Sequence, residues 1–186
     1  CPTSMLQPTP DQLASLSKKD RFWLRLALIF NGPLKWYSVL TRATYGTWLM
    51  WLTGGRRYRY HGLDLLEGYD RKTSLVIAAN HRSFFDFYTI AHATNRYSRL
   101  TRRCFYPVRS TFFYEGPLGA FINFAITGMA MFPPIMRDTR KAALNRWSLD
   151  CIAAELRRPG TMVGMHPEGR RNKNPDPFAL LPAQPG

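Results

Sequence analysis

Bulky apolar residues crowd the first third of the chain, where start and stop signals bound two helix-sized segments. The first predicted helix begins after Thr9, an N-cap residue followed by Pro at the first helical position and Gln at the third. It runs to about Phe30, where an Asn-Gly pair ends it. The second begins at Pro33 and ends at Gly54-Gly55. The pattern therefore predicts a two-helix hairpin over residues 1–55.

Short apolar runs and helical patterns alternate in the remainder, residues 56–186. Tyr58 to Leu65 alternates loosely between apolar and polar positions and predicts a strand. Ser74 to Ala79 is an unbroken apolar run, typical of a strand buried on both faces, and Thr161 to Met165 is another short run. Helical patterns lie at 84–93, 117–127 and 140–158. The alternation predicts an α/β domain with a mostly parallel sheet flanked by helices and preceded by the hairpin.

Charged residues interrupt the hairpin, and its apolar residues surround the helices instead of forming one core-facing stripe. The interrupting cations are Arg21, Arg25, Lys35, Arg42 and Arg56. The longest uncharged stretch, Ala43 to Gly55, is well short of the roughly 20 residues that cross a bilayer. Such a hairpin favours the membrane interface, with Trp and Tyr at headgroup level and Arg and Lys on phosphates. The alternative is a hairpin that packs on the domain core.

Composition narrows the class of partner. Apolar residues make up 45% of the chain, which excludes a wholly disordered protein. The 26 Lys and Arg residues against 12 Asp and Glu give a formal net charge of +14, which predicts nucleic acid, an anionic membrane or a phosphate-bearing substrate as partner. Because no nucleic-acid motif accompanies the arginine cluster at 56–59, a membrane is favoured and no nucleic-acid partner is expected. Cys1, Cys104 and Cys151 have neither CxxC nor metal-ligand spacing and indicate reduced thiols in a cytosol-facing protein.

Two polar clusters follow predicted strands directly, namely Asn80-His81 and the His-Pro-Glu-Gly stretch that begins at His166. Ligands of parallel sheets bind beyond the carboxyl ends of the strands, so both clusters are expected to face one crevice. His166 beside His81 raises the question of zinc, but no third ligand has suitable spacing, and no metal or cofactor is expected.

His81 and Asp86, five positions apart, allow two interpretations. In the structural one, Ser83 caps the following helix and Asp86 falls at its third position, where a negative charge suits the helix dipole. In the chemical one, Asp86 accepts the N–H of one ring nitrogen of His81, and the other nitrogen takes a proton from a hydroxyl. No Ser or Cys lies in a GxSxG-type elbow, so the predicted chemistry is base-assisted attack by a substrate hydroxyl without a covalent enzyme intermediate.

The stretch NHRSFFD, from Asn80 to Asp86, resembles the NHxxxxD motif of the glycerolipid acyltransferases, the family of the 1-acyl-glycerol-3-phosphate acyltransferases. HPEGRRN, from His166 to Asn172, resembles the FPEGTRS motif of that family, and the two motifs occur in the family's order. The resemblance implies that His81 is the general base and that Asp86 orients it. The acceptor hydroxyl would attack the thioester of acyl-CoA or acyl carrier protein.

The resemblance also implies which residues bind the phosphate of the acceptor. Glu168, Gly169 and Arg171 match the second motif, which binds this phosphate in the family, and a guanidinium offers it bidentate donors. Arg137 matches the arginine of an intervening motif that also contacts it. The hairpin matches a membrane-docking element of bacterial members, which implies a monotopic protein on the cytoplasmic face of the membrane.

Departures from the family pattern leave the acceptor open. Arg170 stands where the family usually has Thr, and Asn172 where it has Ser. The family's last, proline-containing block has no counterpart before Gly186, so the chain is predicted to be C-terminally truncated. The leading hypothesis is an enzyme of phospholipid biosynthesis that acylates lysophosphatidic acid. The alternatives are acylation of another lysolipid and a non-catalytic, basic membrane-lipid-binding module.

Overall fold

The computed structural model describes residues 5–54, 57–100, 103–176 and 178–183. Parallel strands flanked by helices confirm the predicted α/β class, and helices precede the first strand. The strands are β1 (Leu75–Ala78), β2 (Cys104–Phe105), β3 (Val108–Arg109), β4 (Pro134–Ile135) and β5 (Met162–Met165). The α-helices are α1 (Pro10–Ala14), α2 (Lys18–Asn31), α3 (Lys35–Thr41), α4 (Thr47–Gly54), α5 (Asp86–Tyr97), α6 (Pro117–Ala125) and α7 (Ala142–Leu156). Predictions that involve Cys1, Gly55, Arg56 and the last three residues lie outside the described residues.

The strands form a three-stranded sheet in the order β1-β5-β2 and a separate pair, β3 with β4, all parallel. Ala78, at the end of β1, lies opposite Met165, at the end of β5. The loops that follow these strands therefore leave the sheet side by side. This register brings together the two polar clusters that were predicted to share a crevice.

Two strand predictions need correction. The run Ser74 to Ala79 does form β1, but Val76 is 48% exposed, so this strand is not buried on both faces. Val76 and Ala78 share the exposed face, while Leu75 and Ile77 are half-buried on the other. The predicted strand from Tyr58 to Leu65 is wrong. Gly62 adopts a left-handed φ of 74° there and precedes a 3₁₀ helix, Leu63–Leu66, that ends any extended run.

The first helix of the predicted hairpin is two helices. Thr9 caps α1 in a capping box, as predicted, but α1 ends at Ala14. Ser17 then caps α2 with a second box, in which the Asp20 carboxylate accepts the Ser17 N–H. This second start signal, missed in the sequence, interrupts the helix.

The second helix of the hairpin begins at Lys35, two residues later than predicted, because residues 32–34 form the turn that reverses the chain. It passes through a π-helical turn, Arg42–Gly46, before α4. Within the described ranges, no helix combines the length and the apolar character needed to cross a membrane.

The N-terminal helices share one core with the sheet. Leu24 and Ala27 of α2 are buried in the same cluster as Phe105 of β2, Val163 of β5 and Trp147 of α7. Burial of large apolar side chains of this kind contributes about 1.5–3 kcal/mol for each. One face of the hairpin is therefore attached to the α/β domain.

Polar bonds reinforce this attachment. Asn31 Nδ2 donates to the Met129 carbonyl at 2.7 Å. The buried Lys35 Nζ donates to Asn31 Oδ1 and to the Cys104 carbonyl, both at 2.8 Å, and burial lowers the pKa of this amine well below its ordinary value. A polar side chain buried in this way is tolerated because its donors are satisfied.

Candidate active site

The loop after β1 is folded around a single carboxylate oxygen. Asp86 is the first residue of α5, and its Oδ2 accepts hydrogen bonds from His81 Nδ1 at 2.9 Å and from the backbone N–H groups of Arg82 and Ser83, both at 2.8 Å. The helix register of the structural interpretation is wrong, since Phe85 is the N-cap and Ser83 Oγ accepts from the Phe85 N–H. The His81–Asp86 contact of the chemical interpretation is present.

This contact defines the tautomer of His81. A carboxylate oxygen only accepts, so Nδ1 of the neutral imidazole carries the proton and Nε2 keeps its lone pair. The side chain of His81 lines a cavity of about 360 Å³. An imidazole held in this tautomer by an acid has the arrangement required of a general base.

His166 lies against the ring of His81. The two ring centroids are 4.3 Å apart and the planes differ by 12°. Nδ1 of His166 donates to the Ala79 carbonyl at 3.0 Å. Burial is the main cause that lowers the pKa of His166 below its ordinary value of 6.5, and His81 acts in the same direction. The neutral ring of His166 therefore packs on one face of the His81 ring, and Asp86 holds the Nδ1 atom of His81.

Glu168 joins the loops that follow β1 and β5. Its Oε2 accepts the His81 N–H and its Oε1 accepts the Leu181 N–H, both at 3.1 Å. The side chain is only 4% exposed. The Leu181 hydrogen bond, followed by that from His81, lowers the pKa of Glu168 despite burial, so it is an anion at neutral pH. The structure thus places Glu168 behind His81 and outside the lining of the cavity.

The rest of the second motif is bound to the same neighbours. The Asn172 N–H donates to the His81 carbonyl at 2.6 Å. Gly169 adopts a left-handed φ of 62°, and its carbonyl accepts from the guanidinium of Arg109. Arg109 was not identified from the sequence. It belongs to a strand of two residues, which is too short to give a pattern.

The cavity is mainly apolar, with His81, His166 and Arg171 in its lining and the hydroxyl of Tyr106 as a further polar group. The apolar lining comprises Phe84, Phe87, Tyr106, Pro107, Val108, Phe112, Phe113, Met131, Gly164 and Met165. Gly164, on the central strand, lets the Tyr106 ring lie so close that a Cβ there would be 2.1 Å from ring carbons. The cavity therefore combines a base, a guanidinium and an apolar wall.

Arg137 lies apart from these residues. It is exposed, two positions beyond the end of β4, and it does not belong to the cavity lining. Because β4 runs parallel to β3, Arg137 follows the same sheet end as Arg109, whose guanidinium contacts Gly169. Of the predicted phosphate ligands, the structure brings Arg171 to the cavity with His81, and leaves Arg137 on the surface.

His81, Asp86 and His166 also offer one ligand atom each within 4.8 Å of one another, as a metal site would. Each already holds a hydrogen bond. Nδ1 of His81 and two backbone N–H groups share Asp86 Oδ2, and Nδ1 of His166 is bonded to Ala79. These bonds occupy Nδ1 of both rings and leave both Nε2 atoms without a hydrogen bond among the described residues.

Fold and site together define an α/β protein with a His–Asp pair at the wall of an apolar cavity. The Acyltransferase family model matches residues 57–186. The match covers well over half of the chain, so the chain belongs to this family, as its two motifs predicted, and the protein is an acyltransferase. Searches of curated proteins and of solved structures found no significant match.

The stack of His166 on His81 can be tested by replacement. We expect His166→Ala to lower kcat by roughly tenfold, because His81 loses the ring that fixes its plane, and His166→Phe to retain most of kcat. In the wild type, burial lowers the pKa of His166 below its ordinary value, so this ring becomes protonated only as the pH falls below the neutral range. Protonation of His166 then repels the proton that His81 must accept, so kcat/KM should fall more steeply with decreasing pH than in His166→Phe. Equal rates and equal pH profiles for all three proteins would contradict this role.

Proposed function

We propose that this acyltransferase moves a fatty acyl group from acyl-CoA or acyl carrier protein to the free hydroxyl of lysophosphatidic acid, in phospholipid biosynthesis. The proposal depends on one observation, the presence of His81 and Arg171 in the lining of the same apolar cavity. A base, a phosphate-binding group and space for an acyl chain are the three requirements of this reaction. The two family motifs agree with it.

The proposed reaction uses His81 as the base. Nε2 accepts the hydroxyl proton while the hydroxyl oxygen attacks the thioester carbonyl carbon. The C–O bond forms, the C–S bond breaks, and the imidazolium returns the proton to the leaving sulfur, so that no cofactor is consumed. Asp86 stabilises the imidazolium through the Nδ1 hydrogen bond of 2.9 Å.

Arg171 is the proposed ligand of the acceptor phosphate, because a guanidinium donates two parallel hydrogen bonds to phosphate oxygens. Glu168 and Gly169 would act by holding the loop that carries Arg171 against His81, in view of their bonds to His81 and Arg109. Arg137 is proposed as a second phosphate contact, at the exposed end of β4.

The membrane is the proposed place of the reaction, on its cytoplasmic face. Support comes from side chains of α2 to α4 that remain exposed although they are large and apolar, with Trp36, Tyr45, Trp48 and Trp51 each at least 56% exposed. The chain's charge of +14 suits anionic headgroups. The membrane-interfacial hairpin is therefore retained as part of the proposal.

The acceptor assignment is tested with Arg171→Gln and a matched control, Arg170→Gln. Both changes remove one exposed arginine from the same loop, but Arg170 does not belong to the cavity lining. We expect Arg171→Gln to raise KM for lysophosphatidic acid by about 10- to 100-fold, since hydrogen bonds to charged groups are worth about 1.5–3 kcal/mol. The rate with an unphosphorylated monoacylglycerol should be low and unaffected. Release of free thiol from acyl-CoA measures both.

Other outcomes select the alternatives. A wild-type preference for unphosphorylated acceptors, or equal effects of the two substitutions, would contradict the role of Arg171. If the donor is turned over only with a different lysolipid, the enzyme acylates another acceptor. Vesicle binding without any turnover would favour the lipid-binding module.

A further inference from the structure

Helix α6 has its polarity reversed relative to a helix that faces water. Its buried residues are Gly119, Ala120 and Asn123. Its large apolar residues face outward, with Leu118 65%, Phe121 63% and Phe124 37% exposed. A helix on a water-exposed surface normally buries its apolar stripe and exposes its polar residues. The outer face of α6 is therefore suited to an apolar medium.

Helix α3 shows the same reversal. Lys35, Ser38 and Thr41 are buried, while Trp36 and Leu40 are 61% and 51% exposed. Lys35 donates to Asn31 and to the Cys104 carbonyl, and Thr41 Oγ1 donates to carbonyls of its own helix. Two neighbouring helices thus turn their polar faces towards the protein.

The two helices form one rigid unit. The ring of Phe124 lies 5.8 Å from that of Tyr37 and 5.3 Å from that of Phe30, centroid to centroid. In the turn after α6, a Cβ on Gly128 would lie 2.3 Å from Thr41 Oγ1 and 2.5 Å from Ser38 Cα. The outer faces of α3 and α6 are therefore fixed relative to each other.

The other end of α6 leads to the cavity. This helix packs against a π-helical turn, Thr111–Glu115. Phe112 of that turn is 40% exposed and lines the cavity that contains His81. Its ring lies 5.5 Å from that of Phe84, another partly exposed residue of the lining. Apolar side chains therefore extend from α6 to the edge of the active-site cavity.

We propose that α6 inserts into the membrane beside α3. Trp36, Leu40, Leu118, Phe121 and Phe124 form one lipid-facing surface, and this surface brings the edge of the cavity to the bilayer. The inference extends the proposed function, which places only the N-terminal hairpin at the membrane. One consequence of the inference, that the lysolipid reaches His81 from the bilayer, rests on the proposed function.

Charge identifies a bilayer, and not a second copy of this chain, as the partner. Helix α6 carries no charged residue, while exposed arginines lie among the exposed aromatic residues of α2, which packs on α3, and beside α4, which follows α3 in the chain. Arg25 lies between the exposed Phe22 and Ile29 on α2, and Arg96 lines one cavity with Trp48 and Trp51. An apolar patch bordered by aromatic and cationic residues matches the boundary between acyl chains and anionic headgroups. Two copies of a chain with a charge of +14 would repel each other.

The test compares Leu118→Glu with Leu149→Glu. Both residues are exposed leucines on helices, at 65% and 54%, but Leu149 lies on α7, outside the lipid-facing surface. Vesicles of equimolar phosphatidylcholine and phosphatidylglycerol are the probe, in a sedimentation assay. Leu118→Glu should weaken binding by roughly tenfold or more, because a charge replaces an inserted apolar side chain, and Leu149→Glu should bind like the wild type. Thermal unfolding checks that both variants are folded.

An activity assay separates this inference from the proposed function. With lysolipid in vesicles, Leu118→Glu should lose activity in parallel with binding. With a short-chain acceptor that is monomeric in solution, its rate should equal that of the wild type. Wild-type vesicle binding by folded Leu118→Glu would overturn the inference, and so would a dimer in lipid-free solution that this substitution dissociates. If no acyl transfer to lysolipids is found at all, the proposed function fails and the vesicle assay still decides about α6.

Discussion

Replacing His81 with Ala should lower kcat for acyl transfer by about 10²- to 10⁴-fold, the range of general base catalysis, with little change in KM. The reason is the arrangement at the end of β1. Nδ1 is bonded to Asp86 at 2.9 Å and Nε2 is left as the proton acceptor. Without the ring, the acceptor hydroxyl must be deprotonated by water, while the cavity and Arg171, the proposed substrate contacts, are unchanged. Thiol release under saturating donor and acceptor measures the effect.

His61→Ala is the matched control, because His61 is an exposed histidine before β1. The rate of this variant should equal that of the wild type. Asp86→Asn should show a smaller loss than His81→Ala. The amide oxygen can still accept the three N–H groups, but it no longer offers a charge to the imidazolium. A rate for His81→Ala that is comparable to the wild type would remove His81 from the mechanism.

The sequence predicted those features of the site that depend on local chain geometry. His81 and Asp86 are five residues apart, so one loop and the first turn of α5 suffice to join them. The apolar runs of β1 and β5 were both identified, and their pairing in parallel follows from the α/β pattern. That pairing brings the His81 and Glu168 loops together, because adjacent parallel strands end at the same edge.

Contacts that depend on packing between distant segments could not be read in this way. Glu168 bonds to the N–H of Leu181, and Arg109 to the carbonyl of Gly169. No periodic pattern in the sequence predicts either contact, because each depends on where a loop or a two-residue strand lies in space. The stack of His166 on His81 likewise requires the register of β1 on β5. The sequence indicated this stack only by having His166 where the family motif has Phe.

Hydrophobic periodicity identifies the faces of a helix but not the medium that each face meets. The spacing in the N-terminal third suggested apolar residues on all sides, and the alternatives were an interface or a core. The structure shows a core-facing side, with Leu24 and Ala27 of α2 buried, and an exposed apolar side, with Trp36 and Leu40 of α3; an interface for the exposed side stays a proposal. Lys35 could not be assigned to the interior from sequence, because its burial depends on acceptors at Asn31 and Cys104.

Gly128→Ala should lower the free energy of unfolding by about 2–5 kcal/mol, which combines left-handed backbone strain with overpacking. In this turn, backbone conformation alone does not demand glycine, since Met129 has a similar φ of 63°. Space does. A Cβ at Gly128 would lie 2.5 Å from Ser38 Cα, a backbone atom that can move only with all of α3. Thermal unfolding should therefore shift down by on the order of 10 °C.

Gly68→Ala is the matched control for this change. Gly68 also lies in a turn, but a Cβ there would meet no atom within 4 Å, so its stability should stay within about 0.5 kcal/mol of the wild type. If Gly128→Ala unfolds at the same temperature as Gly68→Ala, α3 and the turn after α6 are not in close contact. The two helices then do not form a rigid unit. If it is strongly destabilised while Gly68→Ala is not, the distance between α3 and α6 is set by the missing side chain of Gly128.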